Sequence, residues 1–429
     1  MSRDAIEVAR TRGHSIVAAL LVGGTEKLED RRLSELGVRV IDGTADRARA
    51  LAVAIDTQRP EVVLDLSDEP VLGYRERMEL VAVSLAKGVT YLGADFRLEP
   101  PVEGPPLTVA TLAVIGTGKR TGKTAIAGAV ARRAVALGLE PILVAMGRGG
   151  PPEPVVAEAG SITLGRLVEL ARAGHHAASD YLEDAVTTGV TTIGARRAGG
   201  GLAGRPYAST VRAAAELAAA RGPDLVILEG SGAAVPTVPW DAGILVVPAS
   251  APPEYLGGYL GPFRLLLSDL VVVTMGAGPD PGSQNLSELR SFAQRSQGGS
   301  RPIVTDFVPE PLAEVAGRRV FFATTAPDSV ASRQVRYLEE HHGCEVVGWS
   351  ARLADRAGLE EDLDAAHGYD VLLTELKAAA VAIGVERARS RGAEVVFVDN
   401  RAVVVSGPPD LDAVLGEVID LARSRAADR

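Results

Sequence analysis

The nine residues Gly116-Thr117-Gly118-Lys119-Arg120-Thr121-Gly122-Lys123-Thr124 place glycines, two lysines and three hydroxyls between an apolar run and an apolar-periodic stretch. That order predicts a strand over 107–115, a loop, and a helix over 123–137 that stops at Gly138. Such a loop wraps backbone N–H groups around a polyphosphate at a helix N-terminus. Lys123 then reaches the terminal phosphates and Thr124 a magnesium ion, with Lys119 and Arg120 as further catalytic cations. Only five of the 45 basic residues are lysine (Lys27, Lys87, Lys119, Lys123, Lys377), and two of the five lie in this loop. A compact ammonium at those places suits a point-charge contact to phosphate better than a planar guanidinium does. The competing reading is a glycine-rich turn that binds nothing, and the strand–loop–helix order argues against it.

Other residue groups can serve the same chemistry. Asp224-Leu225-Val226-Ile227-Leu228-Glu229 predicts a buried strand ending in a carboxylate, where α/β sheets place their ligands. Mg²⁺ takes one or two carboxylates beside hydroxyl, phosphate and water, so Glu229 with Thr124 suffices; the bland reading is a turn cap. Arg148, within Met146 to Pro154, can clamp a phosphate or stand as a solvated surface charge. The stretch Gly194 to Tyr207 holds Arg196, Arg197 and Arg205 among five glycines. It reads either as a receiver for a second polyanion or as a mobile surface loop. The acids of Leu64 to Pro70, ahead of Gly73 to Arg77, bind substrate or cap a helix, with capping preferred. His175-His176 with Asp180 and Asp184, and likewise His341-His342, read as polar helix surface, because adjacent histidines do not share a helical face.

These sites need a scaffold, and the apolar pattern predicts one. The proline-rich 99–106 and the polar 296–302 divide 429 residues into an N-terminal α/β domain (1–99), a phosphate-loop ATP-binding domain (107–296) and a C-terminal α/β domain (302–429). Continuously apolar runs at 142–145, 225–228, 244–247 and 270–274 read as buried parallel strands. The fold class is therefore α/β: a central P-loop NTPase-type parallel sheet flanked by smaller α/β domains. With 46% hydrophobic and 23% charged residues the chain reads as soluble and globular, without a signal-peptide core or a bilayer-spanning stretch. The single Cys344 excludes an internal disulfide and fits the cytoplasm. A net charge of −10 argues against nucleic acid and anionic membranes as general partners, so a polyanionic substrate requires a local basic pocket.

Five residues separate Gly116 from Gly122, a spacing also found in P-loop enzymes resembling dethiobiotin synthetases. Taken with Glu229-Gly230-Ser231-Gly232, Met146 to Pro154 and Ala195 to Tyr207, the chain resembles the cyclic 2,3-diphosphoglycerate synthetases. Asp65 to Arg77 and Glu375 to Ala380 are further matching stretches. The resemblance implies that ATP, with Mg²⁺, closes a phosphoanhydride between the two phosphates of 2,3-bisphosphoglycerate and is released as ADP and phosphate. It implies a small phosphorylated acid as partner and is compatible with a homodimer. A phosphate oxygen is already anionic and needs no general base; alignment and charge neutralisation suffice. Arg148, Arg196, Arg197 and Arg205 are then substrate clamps. Two rival functions use the same loop: a kinase of a small phosphorylated acid, and a non-catalytic nucleotide switch.

Overall fold

The structure, a computed structural model, describes residues 2–23, 37–175, 177–277, 287–288, 302–377, 380–408 and 410–429. Lys27, His176, Ala378 and most of the polar 296–302 break lie outside the described residues.

The uninterrupted apolar runs of the middle segment form strands buried on both faces: β6 (Thr111–Gly116), β7 (Pro141–Gly147), β11 (Leu225–Glu229), β12 (Ala242–Pro248) and β13 (Leu270–Thr274). They pair in parallel in the order β7-β11-β6-β12-β13. Period-two alternation divides their side chains between two layers. Leu112 and Val114 face helices α4 (Lys123–Ala136) and α13 (Leu411–Ala427), whereas Ala113 and Ile115 face α7 (Val211–Ala220). β9 (Thr192–Ala198) adds to the β7 edge in parallel, with β8 (Val155–Ala157) and β10 (Ala208–Ser209) antiparallel on it.

The sheet does not stop at the expected third domain. β14 (Ile303–Pro311) pairs with β13 in parallel at Ile303 and Val304 only, then runs on alongside β18 (Glu394–Ser406) as an antiparallel ribbon. Beyond it lie β17 (Val371–Glu375), β15 (Arg319–Ala323) and β16 (Glu345–Ser350), all parallel to β18. One sheet therefore carries two parallel halves that run in opposite directions about the ribbon. Because β14 outruns β13, the second half is set beyond the C-terminal edge of the first, and the C-terminal ends of β17 and β11 point toward each other. A division at residue 302 cuts through this sheet. It also separates α13 from its packing partners, since Leu415, Ile419 and Ala422 are fully buried in the core around α4. Arg132 of α4 and Asp399 of β18 add an ion pair at 2.9 Å.

The N-terminal segment is α/β, as its apolar runs predict. The described residues form a parallel pair, β1 (Ala19–Leu21) with β2 (Val40–Asp42), and a three-stranded sheet, β3 (Val62–Leu64), β4 (Thr90–Leu92) and β5 (Arg97–Leu98). Helix α3 (Tyr74–Ala86) joins this segment to the middle one, packing Leu80 and Val81 with Leu260 and Phe263. Among the described residues no helix is long and apolar enough to cross a membrane.

Candidate active site

The loop between β6 and α4 folds back on itself, and its glycines show why. A Cβ on Gly116 would lie 2.8 Å from Thr121 Oγ1 and 3.0 Å from Lys123 Cδ, so only hydrogen fits where the loop returns to the strand end. Gly122 caps α4 at φ +88°, and a Cβ there would meet Phe307 of β14 at 2.4 Å. Arg120 adopts φ 56°, a left-handed conformation that costs a non-glycine residue about 1–2 kcal/mol. Strain of that kind persists where surrounding structure enforces it, as at ligand clamps. Thr274 Oγ1 donates to Thr121 O at 2.7 Å and pins the loop to β13.

Lys123 is buried at the helix start, its Nζ donating to Gly118 O at 2.7 Å and Thr121 Oγ1 at 3.2 Å. Burial lowers its pKa to about 8 against the pull of Glu229 and Asp180, and nearby Arg197 and Arg264 push the same way as burial. The lysine is thus folded back over its own loop, a posture a phosphate would replace.

Glu229 ends β11 and is 4% exposed. Its Oε1 accepts from Thr124 Oγ1 at 2.7 Å, while its buried Oε2 has no hydrogen-bond donor. Burial, with Asp180 adding, raises its pKa to about 7. Behind it stands fully buried Asp184, whose pKa is raised by burial and then by Glu229; no group outside this carboxyl pair donates to either Asp184 oxygen, and a proton can be shared within the pair. Asp180, Glu183 and Asp184 lie on α6 (Asp180–Thr188), spaced three and four residues apart and hence on one helical face. Reading Asp180 and Asp184 as polar helix surface is therefore corrected: α6 turns this acidic face toward the phosphate loop. The i, i+3, i+4 spacing was the available signal, and attention to the neighbouring histidines obscured it. From the opposite half of the sheet, Lys377, two residues past the end of β17, reaches Glu183 with both contacts at 2.7 Å.

No group of three or more carboxylate, imidazole or thiol ligands converges among the described residues. The orphaned Glu229 oxygen and the Thr124 hydroxyl nevertheless fit Mg²⁺, which draws its remaining ligands from phosphate and water.

The arginines separate. Arg196 and Arg197 sit on β9 rather than on a flexible loop, and strand alternation leaves Arg196 exposed and Arg197 buried. Arg196 Nε donates to Gly150 O at 2.6 Å. Arg197 donates to Gly199 O at 2.6 Å and Ser231 O at 2.8 Å, close to exposed Arg148, whose charge lowers its pKa further after burial. Arg205 is turned elsewhere: it pairs with Glu99 at 3.2 Å and with Glu103, tying this segment to the inter-segment linker. Lys119 and Arg120 are exposed at the loop tip. Sequence reasoning missed Arg264, buried on α9 (Gly261–Leu266), whose only signal was a lone charge in an apolar run. Asp65 has a structural task, holding Arg77 Nε at 2.9 Å.

Comparison with known proteins bears on the same segments. Family descriptions of the cyclic 2,3-diphosphoglycerate synthetase N-terminal, P-loop and C-terminal domains match residues 1–99, 111–301 and 311–401. The chain is 42% identical over 433 positions to the cyclic 2,3-diphosphoglycerate synthetase of Rubrobacter xylanophilus, covering 99% of this chain and 95% of that one. It is 39% identical over 432 positions to that of Methanothermus fervidus, covering 98% and 94%. A third, from Thermococcus sibiricus, is 40% identical over 404 positions, covering 93% and 92%. With all three segments matched and the whole length aligned to these relatives, the chain belongs to the cyclic 2,3-diphosphoglycerate synthetase family.

Proposed function

We propose that this protein uses ATP to close an intramolecular phosphoanhydride in 2,3-bisphosphoglycerate, yielding cyclic 2,3-diphosphoglycerate, ADP and inorganic phosphate. The observation that carries the reading is the meeting of two unlike charge sets at one sheet edge. On one side stand Lys123, Lys119 and the buried Arg197; on the other, Thr124 with the half-bonded Glu229. The full-length similarity to synthetases bearing that name supports the choice of acid.

The loop N–H groups and the N-terminus of α4 hold the ATP phosphates, Lys123 exchanging its contacts within the loop for phosphate oxygens. Thr124 and Glu229 would hold Mg²⁺, which would supply charge neutralisation on those phosphates. One phosphate of the acid attacks the γ-phosphorus, breaking the bond to the ADP oxygen. The second phosphate then attacks the phosphorus of the first, and the transferred group leaves as inorganic phosphate. Each nucleophile is an anionic oxygen, so neither step requires proton abstraction; what opposes them is the repulsion among phosphates. Lys119, Arg148 and Arg197 counter it around the turn after β11, and Arg120 and Arg196 stand at the exposed rim. Arg205, committed to Glu99 and Glu103, is assigned to joining segments.

Phosphorus NMR on protein, Mg-ATP and 2,3-bisphosphoglycerate tests this reading. The expected result is a cyclic anhydride with ADP and free phosphate in equal amounts. A stable phosphorylated acid without free phosphate would identify a kinase, and no turnover of either compound a nucleotide-dependent switch.

A further inference from the structure

Arg197 and Arg264 share an unusual condition. They are 3% and 6% exposed, neither forms an ion pair with a carboxylate among the described residues, and in each the buried Nε has no acceptor. Their other nitrogens donate to carbonyl oxygens, and each arginine sends one such bond to the same turn. Arg197 donates to Ser231 O at 2.8 Å, and Arg264 to Ala233 O at 2.7 Å and Leu260 O at 3.0 Å. The two guanidiniums thus grip the 231–233 turn, directly after the Glu229 strand end, from both sides. Carbonyl dipoles take part of their hydrogen-bonding but supply no charge: Asp180 offsets part of the Arg197 charge, burial alone acts on Arg264, and a buried charge is costly unless an opposite one comes to it. Burial lowers the pKa of Arg264 to about 10, which expresses the same cost.

Glycines let the turn and its neighbour lie close against both arginines. Gly232, at φ +61°, carries no side chain where a Cβ would stand 3.0 Å from Arg197 Nη2 and 3.5 Å from Lys119 Cγ. Gly204, at φ +81°, does the same beside Ala233 O at 2.9 Å and Arg264 Nη2 at 3.3 Å. A site with two buried guanidiniums, an exposed loop lysine and no side-chain bulk between them is built for a multiply charged anion.

We propose that Arg264, together with Arg197, forms the acceptor-anion subsite, taking one phosphate group of a bisphosphorylated carboxylic acid against the 231–233 turn. This rests on the functional reading above and adds to it the residue that fixes the acid. Arg264 is the group whose charge the acid completes, and it holds the turn in place until the acid arrives.

The test compares Arg264→Gln and Arg264→Lys with the wild type, each shown to be folded by circular dichroism. Arg264→Gln should raise the KM for 2,3-bisphosphoglycerate at least tenfold, one charge-assisted contact, and change the KM for ATP less than threefold. Arg264→Lys keeps the charge and the stem, so it should fold where the glutamine variant fails and retain part of the affinity. In parallel, 2,3-bisphosphoglycerate without nucleotide should raise the melting temperature of the wild type but not of the variants' weaker member. If the wild type makes the cyclic anhydride while both folded variants keep a normal KM for the acid, the subsite is wrong and the functional reading stands. If it makes no anhydride but the acid protects it in an Arg264-dependent way, the subsite stands and the functional reading falls. Equal loss of affinity for ATP and acid overturns the subsite.

Discussion

Glu229 and Glu375 occupy the same address in the two halves of the sheet. Each is the last residue of a central, fully buried parallel strand, and each is 4% exposed. Around Glu375 the chain has filled every need: Thr324 Oγ1 donates at 2.6 Å, Thr325 Oγ1 at 2.7 Å and the Thr325 amide at 3.3 Å. Around Glu229 one hydroxyl donates, one oxygen is left bare, and Asp184 presses a second carboxyl group against it. The fold supplies a carboxylate at a strand end in both places. We propose that function resides where its bonding capacity is left open, because an unsatisfied buried oxygen calls for a partner that comes to it.

The sharpest way to break this contrast is at the loop that faces Glu229. Lys123→Ala should lower ATP-dependent turnover by about 10²–10³-fold, the usual loss for one preorganised contact to developing charge. Stability should hold or rise, since a buried ammonium is removed. ADP release by a variant of verified fold decides it, and near-normal rates would refute the loop assignment.

Exchanging acid for amide at the two strand ends tests the comparison itself. Glu229→Gln should raise the Mg²⁺ concentration needed for half-maximal activity by about tenfold or more, in line with losses at metal sites. Rate should recover at high Mg²⁺. Glu375→Gln should leave the Mg²⁺ requirement alone and instead cost about 1–3 kcal/mol in urea unfolding, because one of its three donors then faces an amide NH₂. If the two variants shift Mg²⁺ dependence equally, the strand ends are not functionally different.

What could be read in the sequence was whatever lies on one element or at its end. The phosphate loop and Glu229 follow apolar runs long enough to be strands, and both were legible as a site. What could not be read was assembly across elements. Asp184 becomes part of the site because α6 packs against β7 and β9, and nothing local to Asp180-Tyr181-Leu182-Glu183-Asp184 specifies that neighbour. For Arg197 a polyanion receiver and a mobile loop stayed open because glycines follow it; the residues before it, Thr192-Ile193-Gly194-Ala195, pair with β7 and carry it into the core. The division at 302 follows the polar stretch before it, but the sequence did not show that one sheet continues past it, through β14, whose first residues pair with β13 and whose remainder pairs with β18.

The smallest expected effect is the most particular to Glu229. In the native protein without metal or nucleotide its carboxyl titrates at about 7, against an ordinary 4.5. Between those values the folded state keeps a proton that the unfolded state has released, so the folded form is favoured by acid. The contribution is fully present below about pH 4.5 and is lost as pH rises to about 7, at no more than about 1.4 kcal/mol per pH unit for one group. Asp184, raised by burial and by Glu229, acts with the same sign. Mg²⁺ requires the ionised carboxylate, so its binding should release a proton and tighten as pH climbs through about 7. Urea unfolding of the wild type and Glu229→Gln, each with and without Mg²⁺ across this range, isolates Glu229 together with the groups it acts on, Asp184 and Lys123. The wild type should lose stability toward neutral pH and regain it with Mg²⁺, and the variant should show a flatter profile and little response to the ion. Identical profiles would mean that Glu229 is satisfied in solution after all, which would return it to the class of Glu375.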